Sequence, residues 1–213
     1  MADTIDETGL RAAIERVAAR LPDWADELNR LDAATGDGDL GITVAKGAAA
    51  LQAHLAAQPP AGDLGAFLIA LGMAFNRAAP STMGTLLATA LMRAGKEARG
   101  LALLDGPALA RMLRAADAGV QERGKASLGD KTVVDALHPA AEAFGAAIEQ
   151  EAGLAAAAQA LLEAARRGRD AVIPLRSKMG RAAWVGERTE NQPDAGTVLL
   201  VRLIEAVLEV QAG

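Results

Sequence analysis

Apolar residues recur every three to four positions along almost the whole chain, the spacing of helices that bury one face. Leu10, Ile14, Val17 and Leu21 mark a first stripe, broken near Pro22, and Trp24, Leu28 and Leu31 carry it on to about Thr35. A glycine-rich turn, GDGDLG at 36–41, then opens a helix bearing Val44, Ala48, Leu51 and Leu55, which Pro59-Pro60 ends. Leu64, Phe67, Leu68, Leu71 and Phe75 predict the next helix, stopped before Pro80. Leu86, Leu87, Ala90, Leu91 and Ala94 predict another, ending near Gly95–Gly100. Pro107 suits the first turn of a helix running to about Glu122, and Asp130 suits the N-cap of one running to about Glu151. An alanine-rich helix follows from about Leu154, with Pro174 kinking or ending it. Residues 178–196 carry no period, and an unpatterned stretch of that length is either functional or disordered. A final helix from about Gly196 turns Val198, Leu199, Leu203, Val207 and Leu208 inward. The pattern predicts eight or nine helices, no confident strand, and one all-α domain over residues 1–213.

Composition narrows the function classes. Alanine, leucine and arginine dominate while tyrosine is missing, a helix-forming mixture. Lys and Arg number 22 against 27 Asp and Glu, a net charge of 22 − 27 = −5. That balance disfavours a nucleic-acid backbone as partner. The five aromatic residues (Trp24, Phe67, Phe75, Phe144, Trp184) are too few for stacking platforms on single strands. With no cysteine, disulfides, thiolate metal sites and cysteine nucleophiles are all excluded. No apolar run approaches the ~20 residues of a membrane span. The acidic opening MADTIDETG does not read as a signal peptide, so the expected compartment is the cytoplasm.

Chemistry concentrates in four segments. In LDAATGDGDLG, Asp32 falls in a last helical turn, and Asp37 and Asp39 follow in the glycine turn, so three carboxylates can converge. Two readings stand: a Mg²⁺ site, since hard cations take carboxylate oxygens, or a plain Asp-Gly turn. An EF-hand loop is ruled out, because twelve-residue loops counted from Asp32 or Asp37 end at Thr43 or Ala48, not at Glu. The late segment GRAAWVGERTENQPDAGT offers Arg181 and Arg188, and its Asp194-Ala195-Gly196-Thr197 opens a helix whose amides favour anions or simply form an N-cap. PSTMGTLLA at 80–88 and GKASLGDKT at 124–132 begin helices in the same ambiguous way. Neither is a Walker A motif. His54 and His138 form no evident catalytic pair, and no serine sits in a triad context. Trp184 either roofs a pocket or packs the late loop down.

Taken together and in this order, LDAATGDGDLG, PSTMG, GDKTVVDALHPA and GRAAWVGERTENQPDAG resemble the nucleotide-binding L subunit (DhaL) of dihydroxyacetone kinases, over about residues 5–210. The resemblance implies a barrel of eight antiparallel amphipathic helices with ADP or ATP capping one end. It implies that Asp32, Asp37 and Asp39 hold two Mg²⁺ ions against the nucleotide phosphates. By motif position the nucleotide meets Leu40, Gly41, Ile42, Thr43, Thr82, Met83, Gly124, Val133, Arg181, Asp194, Ala195 and Gly196. It further implies a separate K-type subunit that holds the sugar covalently on a histidine, with a phosphotransferase-system protein as one source of the phosphoryl group. Three positions depart from the family pattern: Leu40 stands where a histidine is usual, Thr82 and Met83 are bulkier than the usual glycine and serine, and Ala195 replaces a proline.

The leading expectation is therefore a kinase subunit acting on a small ketose. Two alternatives are a nucleotide-sensing interaction protein without catalysis of its own and a DhaL-like domain of the fatty-acid kinases. The latter is disfavoured because those proteins fuse further domains. Oligomeric state stays open, a homodimer included.

Overall fold

The computed structural model describes residues 4–209. The first three residues of the acidic opening and the last four of the expected domain lie outside it. Helices α1 (Glu7–Arg20), α2 (Ala25–Thr35), α3 (Leu40–Ala57), α4 (Leu64–Ala78) and α5 (Thr82–Glu97) make the first half of the chain. They are followed by α6 (Gly106–Gly124), α7 (Val134–Glu149), α8 (Leu154–Ala171), the one-turn α9 (Ala182–Val185) and α10 (Ala195–Glu209). Eight of these close a ring: α1 packs on α3, then α3 on α4, α4 on α5, α5 on α6, α6 on α7, α7 on α8, α8 on α10, and α10 back on α1. Helix α2 lies across α3 and α10. This is the all-α barrel that the sequence predicts.

The predicted apolar stripes form most of its interior, except that Val207 of the last helix is exposed and Val201 is buried instead. Leu28, Leu64, Leu71, Val44, Val134, Leu199 and Val201 are essentially inaccessible. Several helix boundaries fall where local chemistry dictates. Pro59 and Pro60 stop α3, Pro107 sits in the first turn of α6, and α8 ends at Ala171, ahead of Pro174.

The two ends of the barrel differ. At the far end Asp6, Asp63 and Asp105 each accept the third amide of the helix they precede (from Gly9, Ala66 and Ala108) at 2.8–3.0 Å. A two-stranded antiparallel ribbon closes that end, β1 (Thr4–Asp6) against β2 (Leu103–Asp105), with Ile5 opposite Leu104. The sequence gives no sign of it: two three-residue strands, far apart in the chain, are too short for alternation to register.

Two further expectations need correction. Asp130 does not cap α7. That helix begins at Val134, and Asp130 instead accepts the Ser127 amide at 2.8 Å. The intervening turn needs positive φ at both Gly129 (83°) and Lys131 (61°), which delays the helix. Asp135, in the first helical turn, reaches back to the amides of Gly129 (2.5 Å) and Thr132 (2.8 Å). Residues 178–196 are also not irregular throughout, for α9 and a 3₁₀ turn at Gly186–Thr189 lie within them.

Candidate functional site

At the other end, helices α3, α5, α7 and α10 all start around one cavity of about 630 Å³. Four helix N-termini thus face a common space, each contributing partial positive charge. The amides of Thr82, Met83, Val133 and Ala195 have no protein acceptor among the described residues. Those free amides make this mouth suited to an anion such as a phosphate.

The carboxylates gather at the rim. One oxygen from each of Asp32, Asp37 and Asp39 lies within 4.8 Å of the others. Helix α2 builds this cluster by capping α3 from outside. Asp32 Oδ2 accepts the amides of Asp39 (2.9 Å) and Leu40 (3.3 Å), and Asn29 Oδ1 accepts those of Gly41 (2.7 Å) and Ile42 (3.3 Å). Gly41 is required for this approach, since a Cβ there would run into the Ala25 carbonyl. Gly38 adopts a φ of 76°, turning the chain so that Asp37 and Asp39 both reach the rim. One cation neutralises part of the cluster: the Arg181 guanidinium from the late segment contacts the Asp37 carboxylate. Three crowded carboxylates against one guanidinium leave excess negative charge, which a hard, oxygen-seeking divalent cation relieves. The donor set fits Mg²⁺.

Most of the residues singled out from the sequence come together here. Leu40, Thr43, Thr82, Met83, Gly124, Val133, Arg181, Asp194, Ala195 and Gly196 line the cavity with the three aspartates. Gly41 and Ile42 do not. Their amides are committed to Asn29, Gly41 is buried against α2, and Ile42 points outward at 51% exposure. Met83 crosses toward α10, close enough that a Cβ on Gly196 would meet its methyl group. Thr43 donates its hydroxyl to Ser81 at 3.1 Å, and Ser81 caps α5 by accepting the Gly84 amide at 3.0 Å.

Asp194 begins α10 and accepts the Thr197 amide at 2.8 Å. Desolvation at the cavity wall pushes its carboxyl up to about 6; the Thr197 amide opposes this, the Asp135 charge adds to it, and Lys131 opposes it.

Sequence reasoning missed Asn29 and the role of Lys131. Asn29 stands three residues before Asp32 on α2, and only its partnership with α3 distinguishes it from any polar helix residue. Lys131 is buried beneath the late segment. The histidines remain apart from the cavity. His138 hydrogen-bonds Asp117 at 2.7 Å, tying α7 to α6, while His54 lies in the last turn of α3. Trp184 neither roofs the cavity nor packs the loop down; it is 88% exposed.

Fold and site define an all-helical barrel with an anion-suited, carboxylate-rimmed mouth. The DAK2 domain matches residues 34–209, and the chain belongs to that DhaL-type family. It is 32% identical over 216 residues to a D-erythrulose kinase of Mycolicibacterium smegmatis, covering 98% of this chain and 37% of that protein. It is 30% identical over 197 residues to the "PEP-dependent dihydroxyacetone kinase 2, ADP-binding subunit DhaL" of Listeria innocua, covering 92% of this chain and 91% of that one. The crystal structure of the dihydroxyacetone kinase of C. freundii in its native form superposes with a TM-score of 0.74 at 26% identity, over 96% of this chain and 35% of that one. The same kinase in complex with AMP-PNP and Mg²⁺ gives 0.70 at 25% identity. The chain thus spans about a third of the longer kinases and nine-tenths of the Listeria subunit. No helix among the described residues is long and apolar enough to cross a membrane.

Proposed function

We propose that this chain is the nucleotide-binding part of a small-ketose kinase of the dihydroxyacetone type, working in the cytoplasm with a K-type subunit that holds the sugar. One observation carries the reading: the carboxylate cluster and four helix N-termini share the rim of a single cavity. The names of the relatives support it, since one is an ADP-binding subunit, another an erythrulose kinase, and a third a kinase solved with AMP-PNP and Mg²⁺.

On this reading Asp32, Asp37 and Asp39 hold Mg²⁺, two ions in all, and ADP or ATP occupies the cavity. Bound there, Mg²⁺ would neutralise charge on the transferring phosphoryl group. The chain's own residues bind and orient. The free amides of Thr82, Met83, Val133 and Ala195 donate to phosphate oxygens, and Arg181 brings a guanidinium to the same end. Leu40, Met83, Gly124, Val133 and Gly196 give the nucleotide an apolar, close-fitting bed.

Among the titratable groups lining the cavity, Lys131 is committed to backbone carbonyls and Arg181 is paired with Asp37. Apart from the metal-holding carboxylates, only Asp194 remains, and its carboxylate is taken up in capping α10 through the Thr197 amide. Placing and deprotonating the acceptor hydroxyl therefore falls to the K-type partner, with in-line geometry set between the two.

Calorimetric titration of the purified chain with ADP, with and without Mg²⁺, tests this. Binding should require Mg²⁺ and disappear in Asp39→Asn. Absence of binding, or Mg²⁺-independent binding that Asp39→Asn leaves intact, would overturn the reading.

A further inference from the structure

The Lys131 side chain is 2% exposed yet makes no ion pair among the described residues. Its ammonium instead donates to three backbone carbonyls, those of Ile173 (2.8 Å), Leu175 (2.9 Å) and Thr189 (2.6 Å). That uses all three of its protons, so the group is not free to serve as a ligand to an anion in the cavity it borders. The backbone is bent to deliver it. Lys131 holds a φ of 61°, uncommon for a side-chain-bearing residue, and Asp135 grips the turn through the amides of Gly129 and Thr132.

The three carbonyls lie on the two flanks of one segment. Ile173 and Leu175 follow α8, Thr189 ends the 3₁₀ turn, and Arg181 sits between them at the start of α9. A second tie closes the same base: the fully buried Thr189 hydroxyl accepts the Ser177 amide at 2.9 Å and donates to the Gly186 carbonyl at 2.8 Å. The Lys178 amide adds a bond to the Asp130 carbonyl at 3.0 Å. From this closed base the segment extends over the rim, where Arg181 meets Asp37.

We infer that Lys131 is a positioning residue, its ammonium pinning both flanks of segment 173–189 so that Arg181 is held over the carboxylate turn. The inference rests on the reading of the cavity as a nucleotide site. Lys131 touches no reacting group and acts through Arg181.

Lys131→Met keeps the apolar stem and removes the three hydrogen bonds. Limited trypsin cleavage after Arg181 and Arg188 in the ligand-free protein should accelerate about tenfold or more, because cleavage follows the population of the opened segment. ADP·Mg²⁺ affinity should fall roughly 10–100-fold, the range for hydrogen bonds to a charged group. In an Arg181→Ala background the same substitution should cost less than about twofold in affinity, since the two act as one unit. An equal loss in both backgrounds would mean a general structural role and overturn the inference. Should Lys131→Met fail to fold, Thr189→Val loosens the same base and must show the same non-additivity with Arg181→Ala. If the unmodified chain does not bind ADP·Mg²⁺, the nucleotide reading fails by itself. The cleavage experiment then decides the clamp alone, and unchanged cleavage rejects it.

Discussion

Asp32 Oδ2 accepts the backbone amide of Asp39 at 2.9 Å, so one carboxylate of the rim folds the turn that presents another. Asp37 and Asp39 carry no such burden: both are exposed, and neither side chain accepts a backbone hydrogen bond among the described residues. The three aspartates should therefore separate experimentally. Asp37→Asn and Asp39→Asn are expected to keep the helical circular dichroism while losing Mg²⁺-dependent nucleotide binding and phosphotransfer. The loss should be at least the roughly 10–100-fold caused by removing an outer-shell partner of a metal. Because each change relieves crowding of like charge, neither should lower the melting temperature of the ligand-free protein. Asp32→Ala should lower both. Full activity in either purified asparagine variant would reject the metal assignment.

Ligand binding should show in stability and in exchange. A ligand bound only by the folded chain at a hundredfold excess over its Kd adds about 2.7 kcal/mol. For a chain of this size that raises the melting temperature by roughly 5–10 °C, at about 2–4 °C per kcal/mol. The protection should be local. Amides of Thr82, Met83, Val133 and Ala195, which have no protein acceptor among the described residues, and those of segment 178–189 should slow when ADP·Mg²⁺ is added. Hydrogen exchange unchanged at these positions counts against a nucleotide in this cavity.

The barrel was legible because its information is local. Each helix carries its own stripe, and prolines and glycines mark the breaks, so α1 to α6, α8 and α10 fall close to where periodicity puts them. The carboxylate cluster was legible for the same reason: Asp32, Asp37 and Asp39 lie within eight residues. What stayed hidden depends on partners distant in sequence. Ile5 meets Leu104 across about a hundred residues, and Lys131 meets Thr189 across 58. Asn29 is ordinary until α3 folds back against it. Asp130 read as a cap because Asp precedes an apolar run; the positive φ at Lys131 that delays the helix has no marker, lysine being an unusual residue for that conformation.

Asp194 gives the ligand-free protein a pH dependence of known sign. Its carboxyl is pushed up to about 6 from an unfolded value near 3.8. Between those values the folded chain binds the proton more tightly than the unfolded chain does. Stability therefore falls as pH rises through that window and stays reduced above it. Asp194→Asn removes the charge but keeps an acceptor for the Thr197 amide. The variant should melt a few degrees above the parent at pH 7.5, with the gap narrowing as pH falls below about 6 and closing only below about 3.8, where the carboxyl is protonated in the folded and unfolded chain alike. A gap independent of pH, or a variant less stable at pH 7.5, contradicts this account.

On the reading proposed above the cavity neutralises charge and orients the nucleotide, while among the described residues that line it Lys131 and Asp194 are already committed to backbone partners. The two histidines serve elsewhere, His138 bound to Asp117 on the barrel wall and His54 at the end of α3. Given ATP, Mg²⁺ and dihydroxyacetone or erythrulose, the chain alone should not phosphorylate the sugar at a useful rate, and a cognate K-type subunit should restore transfer. Because the phosphates must reach the partner's sugar, docking should occur at the mouth. The surface there is distinctive: Trp184, Ile42 and Leu128 are exposed at 88%, 51% and 55%. Among the charged residues nearby, Glu190 is the poorer probe of docking, since it pairs with Arg176 at 2.9 Å and its replacement would disturb the loop itself. Arg188 is exposed and outside the ion pairs found among the described residues. Arg188→Glu should therefore leave ADP·Mg²⁺ affinity within about twofold, as surface substitutions usually shift energies by no more than ~0.5 kcal/mol. The same variant should impair transfer in the reconstituted pair far more. Robust ketose kinase activity from the isolated chain would mean that this cavity, or another surface of the barrel, binds the sugar directly.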